Sequence, residues 1–169
     1  MKEMRMKLFE KTPVAKLDKT DKKILGVLYK NSRALIKEIS RKTGIQRDVV
    51  KYRIDKMKKQ GVIRYFTTVL NPAKMGHPIY TWINIVFQSF DPVEQKKFQN
   101  YLLYHKNIAY MAKVSGKYHF VIAICAKDLE HFEQIFEGIL EKFSHLIKEY
   151  NSSSLIEEYK YDYMVDLID

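Results

Sequence analysis

Cysteine is nearly absent. Cys125 is the only one in 169 residues, which excludes an internal disulfide and a thiolate zinc site. It lies in the apolar run Val121–Ala126 and reads as a small core hydrophobe. Six glycines and four prolines are too few for a low-complexity or linker-rich chain. No apolar run reaches the roughly eighteen residues that a membrane helix needs, so no span is expected. The first residues, Met1-Lys2-Glu3-Met4-Arg5-Met6-Lys7, are charged and no apolar signal core follows them, so a cytoplasmic protein is expected. The histidines at 77, 105, 119, 131 and 145 show no metal-ligand spacing. There is no glycine-rich phosphate loop and no Ser/His/Asp grouping. The reading is therefore of a non-enzyme without metal or cofactor.

What is abundant is positive charge, and it is unevenly placed. The formal net charge is +10. Residues 1–70 hold 20 Lys and Arg against 7 Asp and Glu, an excess of +13, whereas residues 71–169 hold 10 against 13, a deficit of −3. Solubility alone gives no reason to concentrate charge in one segment. A polyanion partner for the first part, and a different role for the second, does.

The hydrophobic periods divide the chain in the same place. Residues 1–16 form a basic arm interrupted at Thr12-Pro13. Asp18 is placed to cap a helix carrying Ile24, Leu25 and Leu28 at helical spacing. A second helix is expected over Leu35–Thr43, closed by Gly44, and a third over Gln46–Gln60, with only Ile45 between. Two helices joined by so tight a turn predict a helix-turn-helix. Val62–Leu70 reads as the β wing, ended by Asn71-Pro72. The predicted DNA-binding domain thus spans 17–70, with a linker over 71–78.

From residue 79 the period changes. Strands are expected over Ile79–Phe90, Ile108–Val114, Tyr118–Ala126 and Leu146–Ser154. Helices are expected from Asp91-Pro92 to about His105 and after Asp128, the latter with the stripe Leu129, Phe132, Ile135, Phe136, Ile139, Leu140 and Phe143. Glu157–Tyr163 alternates and reads as a further strand, its tyrosines packing on a neighbour. The domain over 79–169 is therefore βαββαβ, the ferredoxin-like order of an antiparallel sheet with both helices on one face. The fold class is α+β.

The third helix carries the chemistry. Val50, Ile54 and Met57 make one narrow apolar stripe. Gln46, Arg47, Asp48, Lys51 and Tyr52 cluster in its N-terminal half, the part a recognition helix presents to base edges in the major groove. Arg47 or Lys51 suits guanine and Gln46 suits adenine. Lys56, Lys58 and Lys59 suit phosphates, as do Arg64 and the N-terminal arm. Arg53 and Arg33 complete the candidate DNA-contacting set. Double-stranded DNA is the expected partner. Tyr80, Trp82, Phe87 and Phe90 of the first strand read as core or dimer interface.

The segment Leu17-Asp18…Asp21…Lys23-Ile24-Leu25, Ser32-Arg33, Glu38-Ile39, Thr43-Gly44-Ile45, Val50…Arg53-Ile54…Met57 and Gln60-Gly61-Val62-Ile63-Arg64 closely resembles the DNA-binding domain of the Lrp/AsnC, or feast/famine, regulators. The second part resembles that family's sensing (RAM) domain in element order and in Val114-Ser115-Gly116-Lys117-Tyr118. The composition points to an archaeal member. The resemblance implies homodimers that join through their sheets, and tetramers or octamers built from them. It also implies an amino-acid-like effector near the Gly116 turn, with Ser115, Gly116, Tyr118 and His119 as candidate contacts. His119 stands where the family commonly has an aspartate, so an effector's ammonium group loses a partner there. His119 then either meets an anionic ligand or is structural. The alternative function that shares this two-domain fold is a siroheme-type tetrapyrrole decarboxylase, but the basic third helix has no evident use in such an enzyme.

Overall fold

The computed structural model describes residues 13–161 and 164–168. The basic arm up to Thr12 lies outside the described residues. Contacts divide the described chain into two units. One gathers the residues up to Val69 with those from Lys160 onward; the other is Leu70–Tyr159. The residues after Lys160, counted with the second domain from the sequence, thus group with the first.

Helices α1 (Lys19–Lys30), α2 (Ile36–Thr43) and α3 (Arg47–Lys59) build the first unit. Asp18 caps α1 through a capping box: its carboxylate accepts from the Thr20 and Asp21 backbone N–H groups, and Asp21 accepts from the Asp18 N–H. Ile24, Leu28, Ile39, Val50 and Met57 are the buried core, one or two residues from each helix. Between α2 and α3, Gly44 takes φ +73°, a left-handed value that a side chain would resist, and its N–H donates to Ser40 O. That residue makes the one-residue turn feasible.

The β wing does not form a ladder. Residues 64–70 have no strand pairing, and the Val62 and Ile63 N–H groups both donate to Met57 O, closing α3. β-branched and aromatic residues favour an extended chain but supply no partner edge, and this segment meets no second strand among the described residues. Tyr65, Phe66, Val69 and Leu70 stay exposed.

The second unit contains β1 (Ile79–Phe87), α4 (Pro92–Tyr104), β2 (Ile108–Lys113), β3 (Phe120–Ala126), α5 (Leu129–Phe143) and β4 (Ile147–Ser154). The antiparallel sheet runs β2-β3-β1-β4, the expected ferredoxin-like order. Ile83, Ile85, Ile122 and Ile124 point to the helix side and meet Phe98, Leu102, Phe136 and Ile139. β1 ends at Phe87 rather than Phe90; its ladder with β4 shifts register between Val86 and Phe87, and the Gln88 N–H still donates to Leu146 O. Leu129, placed in the core stripe of α5 from its period, is exposed, since it is the first residue of the helix and clears the sheet. The expected strand over Glu157–Tyr163 does not form in its described part: Leu155 N–H makes the last ladder bond, to Tyr80 O, and residues 155–161 carry no regular structure. Asp162 and Tyr163, the end of that expected strand, lie outside the described residues.

Candidate nucleic-acid interface

α3 sorts its side chains by face. Val50 and Met57 are buried and Ile54 is half-buried. Arg47, Asp48, Lys51, Tyr52, Asp55 and Lys59 are exposed on the other side, in two adjoining i, i+4 rows, Arg47–Lys51–Asp55–Lys59 and Asp48–Tyr52, that together make a ridge. Tyr52 is 65% exposed, far more than a tyrosine needing only burial would leave. Gln46 caps the helix with its backbone alone, so its amide is not used for capping. Asp48 lies in the first turn, where the helix dipole favours an anion. Tyr52, Asp55, Lys56, Lys59 and Gln60 line a shallow open groove along this ridge. Pro13–Lys16, the described root of the arm, borders Lys56 and Gln60. Arg33 and Arg64 are exposed, and the Arg64 guanidinium lies 5.3 Å from the Tyr65 ring centre.

Arg53 is turned the other way. Its Nη1 lies 2.6 Å from Asp18 Oδ2 and 3.1 Å from Asp21 Oδ2. The Asp21 side chain is 1% exposed, that of Arg53 23%. Asp21 N–H and the Arg53 guanidinium hold the Asp18 carboxyl below its ordinary range, and the Asp18 carboxylate in turn raises Arg53. Arg53 therefore ties α3 to the start of α1. Its position, three residues after Val50 and four before Met57, is the signal that places it on the core side.

The second unit has its own candidate site at the β2–β3 turn. Ser115 and Gly116 are exposed, with Gly116 at φ +119°, and Tyr118 and His119 are half-buried. His119 N–H donates to Ile85 O, so Phe87 N–H, two residues on, faces the same strand. The His119 imidazole accepts that N–H at Nδ1, 2.9 Å away, in place of a backbone carbonyl. The proton of the neutral ring is then on Nε2. Phe87 and Phe90 flank the ring, with centres 6.1 and 5.0 Å away. His119 is thus part of the sheet's hydrogen bonding as well as a neighbour of the turn.

On the sheet face away from the helices, Tyr80, Trp82 and Tyr110 form a chain of rings, the first pair tilted and the second edge-on, with centres 5.6 and 5.2 Å apart. Phe87 instead joins the core against Phe98. Cys125 is half-buried, and burial pushes its thiol above the ordinary range. Among the described residues no group of His, Cys, Asp or Glu is placed to hold a metal ion, and no helix is long and apolar enough to cross a membrane.

Comparison with known proteins matches both units. Residues 17–64 match a model described as winged helix-turn-helix DNA-binding, and residues 83–165 match the Lrp/AsnC ligand binding domain. An HTH-type transcriptional regulator of Pyrococcus horikoshii is 30% identical over 149 residues, covering 87% of this chain and 90% of its own. The HTH-type transcriptional regulator FL11 of Pyrococcus furiosus is 30% identical over 125 residues, 73% of this chain and 80% of that one. Among solved structures, an AsnC family transcriptional regulator from Agrobacterium tumefaciens superposes with a TM-score of 0.80 at 22% identity, over 90% of this chain and 99% of that one. A transcriptional regulator from Neisseria meningitidis, solved as an L-Met complex, gives 0.77 at 20% identity, over 86% and 94%.

Proposed function

Because the chain belongs to the Lrp/AsnC family of transcriptional regulators, with one DNA-binding and one ligand-binding domain, we propose that it reads a specific operator in cytoplasmic DNA through the exposed ridge of α3. The observation that carries this is the ridge itself: a cationic and hydrogen-bonding face on a helix whose opposite face is core, within the half of the chain that holds all the excess positive charge. Arg47, Asp48, Lys51, Tyr52 and Gln46 meet bases, and Lys56, Lys58, Lys59, Arg33 and Arg64 meet phosphates. Arg53 positions the helix. Selection of bound sequences from random DNA tests the reading. It should return a motif of two half-sites spaced by one helical turn or a multiple. Recovery of no enriched motif at moderate salt would sink it.

The helix-free sheet face supports a dimer. One side of this sheet is covered by α4 and α5, while Tyr80, Trp82 and Tyr110 stand on the other, which a second sheet can cover. Tyr110 is half-exposed, so Tyr110→Asp should leave the fold intact and shift the protein from dimer to monomer in sedimentation. An unchanged sedimentation coefficient would reject this face. The effector is amino-acid-like, as in the Neisseria complex, and meets the Gly116 turn. There His119 has Nε2–H to offer to an acceptor or anionic group, its Nδ1 being occupied. A decarboxylase reading draws no support: the relatives are regulators, and the ridge of α3 has no role in it.

A further inference from the structure

After β4 the chain returns to the DNA-binding helices. Tyr29, near the end of α1, donates its hydroxyl to Tyr161 O at 2.9 Å. Lys22, seven residues earlier, donates its ammonium to Ile168 O. Seven residues are two helical turns, so both donors stand on one stripe of α1, away from the buried Ile24 and Leu28. Between the two acceptors lies a 3₁₀ turn, Met164–Leu167. Such a turn repeats every three residues, so Val165 and the following Ile168 share a side. They are the two half-buried residues there, while Met164, Asp166 and Leu167 are exposed.

Hydrogen bonds and packing side thus agree on one partner for this stripe.

We propose that the outward stripe of α1 is a docking site for the chain's own C-terminal segment, through Tyr161 and the turn 164–168, which act as a strap. The chain leaves the DNA-binding unit at Val69 and comes back to it at Lys160, so the unit is attached to the rest of the protein at two points. The second attachment ends beside the residues that set α3. Lys22 follows Asp21, and Asp21 with Asp18 holds Arg53 of α3. The strap therefore restrains the helix against which the recognition helix is braced.

Hydrogen exchange of α1 amides in the full chain and in a chain ending at Tyr159 tests this. The five buried core residues of the unit lie outside the segment, so the shortened chain keeps its core. Loss of two hydrogen bonds and their packing should speed α1 exchange about tenfold. A peptide spanning 159–169, added in excess, should restore the slow rate. Lys22→Glu in the full chain should speed exchange in the same way and add nothing in the shortened chain. The proposal fails if shortening changes α1 exchange by less than about twofold. It also fails if Lys22→Glu acts equally in both chains. The readout is exchange in α1 and not DNA binding, so this result stands apart from the operator assignment.

Discussion

Arg53→Ala should unfold the DNA-binding unit far more readily than loss of any exposed cation on α3. The reason is Asp21. Its carboxylate is almost fully buried, one oxygen accepts from Arg53 and the Asp18 N–H, and the other has no hydrogen-bond partner among the described residues. Removing the guanidinium leaves a buried charge without its counter-charge. Breaking such a pair costs several kcal/mol when both groups are buried; with Arg53 partly open to water, about 2–3 kcal/mol is expected. Calorimetry or urea unfolding of the unit measures it. Asp21→Asn should recover part of the loss in the Arg53→Ala background, because the buried charge goes too. A melting midpoint unchanged by Arg53→Ala would overturn the assignment.

The adjoining Arg53–Asp18 pair has a defined pH signature. Folding lowers the Asp18 pKa, so its contribution is present above the ordinary value of 3.8 and is lost as pH falls through the lowered folded value. The gap between wild type and Arg53→Ala should therefore be full at neutral pH and should narrow only in acid below about pH 4. A gap that closed already near pH 6 would point to a histidine instead.

Much of this architecture is legible along the sequence. The apolar stripe Val50–Ile54–Met57, the single residue between Gly44 and Gln46, and the change of period after Pro78 all act over a few residues, and the structure follows them. The failures share one cause. Val62–Leu70 has the β-branched and aromatic composition of a strand and residues 157–161 the alternation of one, but a strand also needs a free edge to pair with, and that is a long-range property. The return of Tyr161 and Ile168 to α1 depends on partners more than a hundred residues apart, which no local period encodes. Arg53 is the instructive case among the site residues. Counted by type, it joins the DNA-contacting cations; counted by helical position, it falls beside the core stripe, and the acids that receive it lie 32 and 35 residues earlier. His119 is similar. Its departure from the usual aspartate is visible in the sequence, but its bond to Phe87 N–H arises from the end of a ladder that only the fold creates.

Once Arg53 is set apart, the remaining cations divide by what their removal should do. Arg47→Ala with Lys51→Ala should weaken binding to the selected operator by about 1–3 kcal/mol for each bidentate base interaction removed, that is, by roughly tenfold to a hundredfold each. Binding to random DNA should fall much less, so the specificity ratio should collapse. Lys56→Ala, Lys58→Ala and Lys59→Ala should behave differently. Each should lower affinity for all sequences alike and reduce the slope of log affinity against log salt by about one for each phosphate no longer neutralised. Fluorescence anisotropy with operator and random duplexes over a salt series separates the two patterns. Thermal melts should be unchanged in all of these variants, since the side chains lie outside the buried core of the unit. If the Arg47/Lys51 pair left the specificity ratio intact while changing only the salt slope, α3 would be lying along the backbone. Base reading would then have to come from another element.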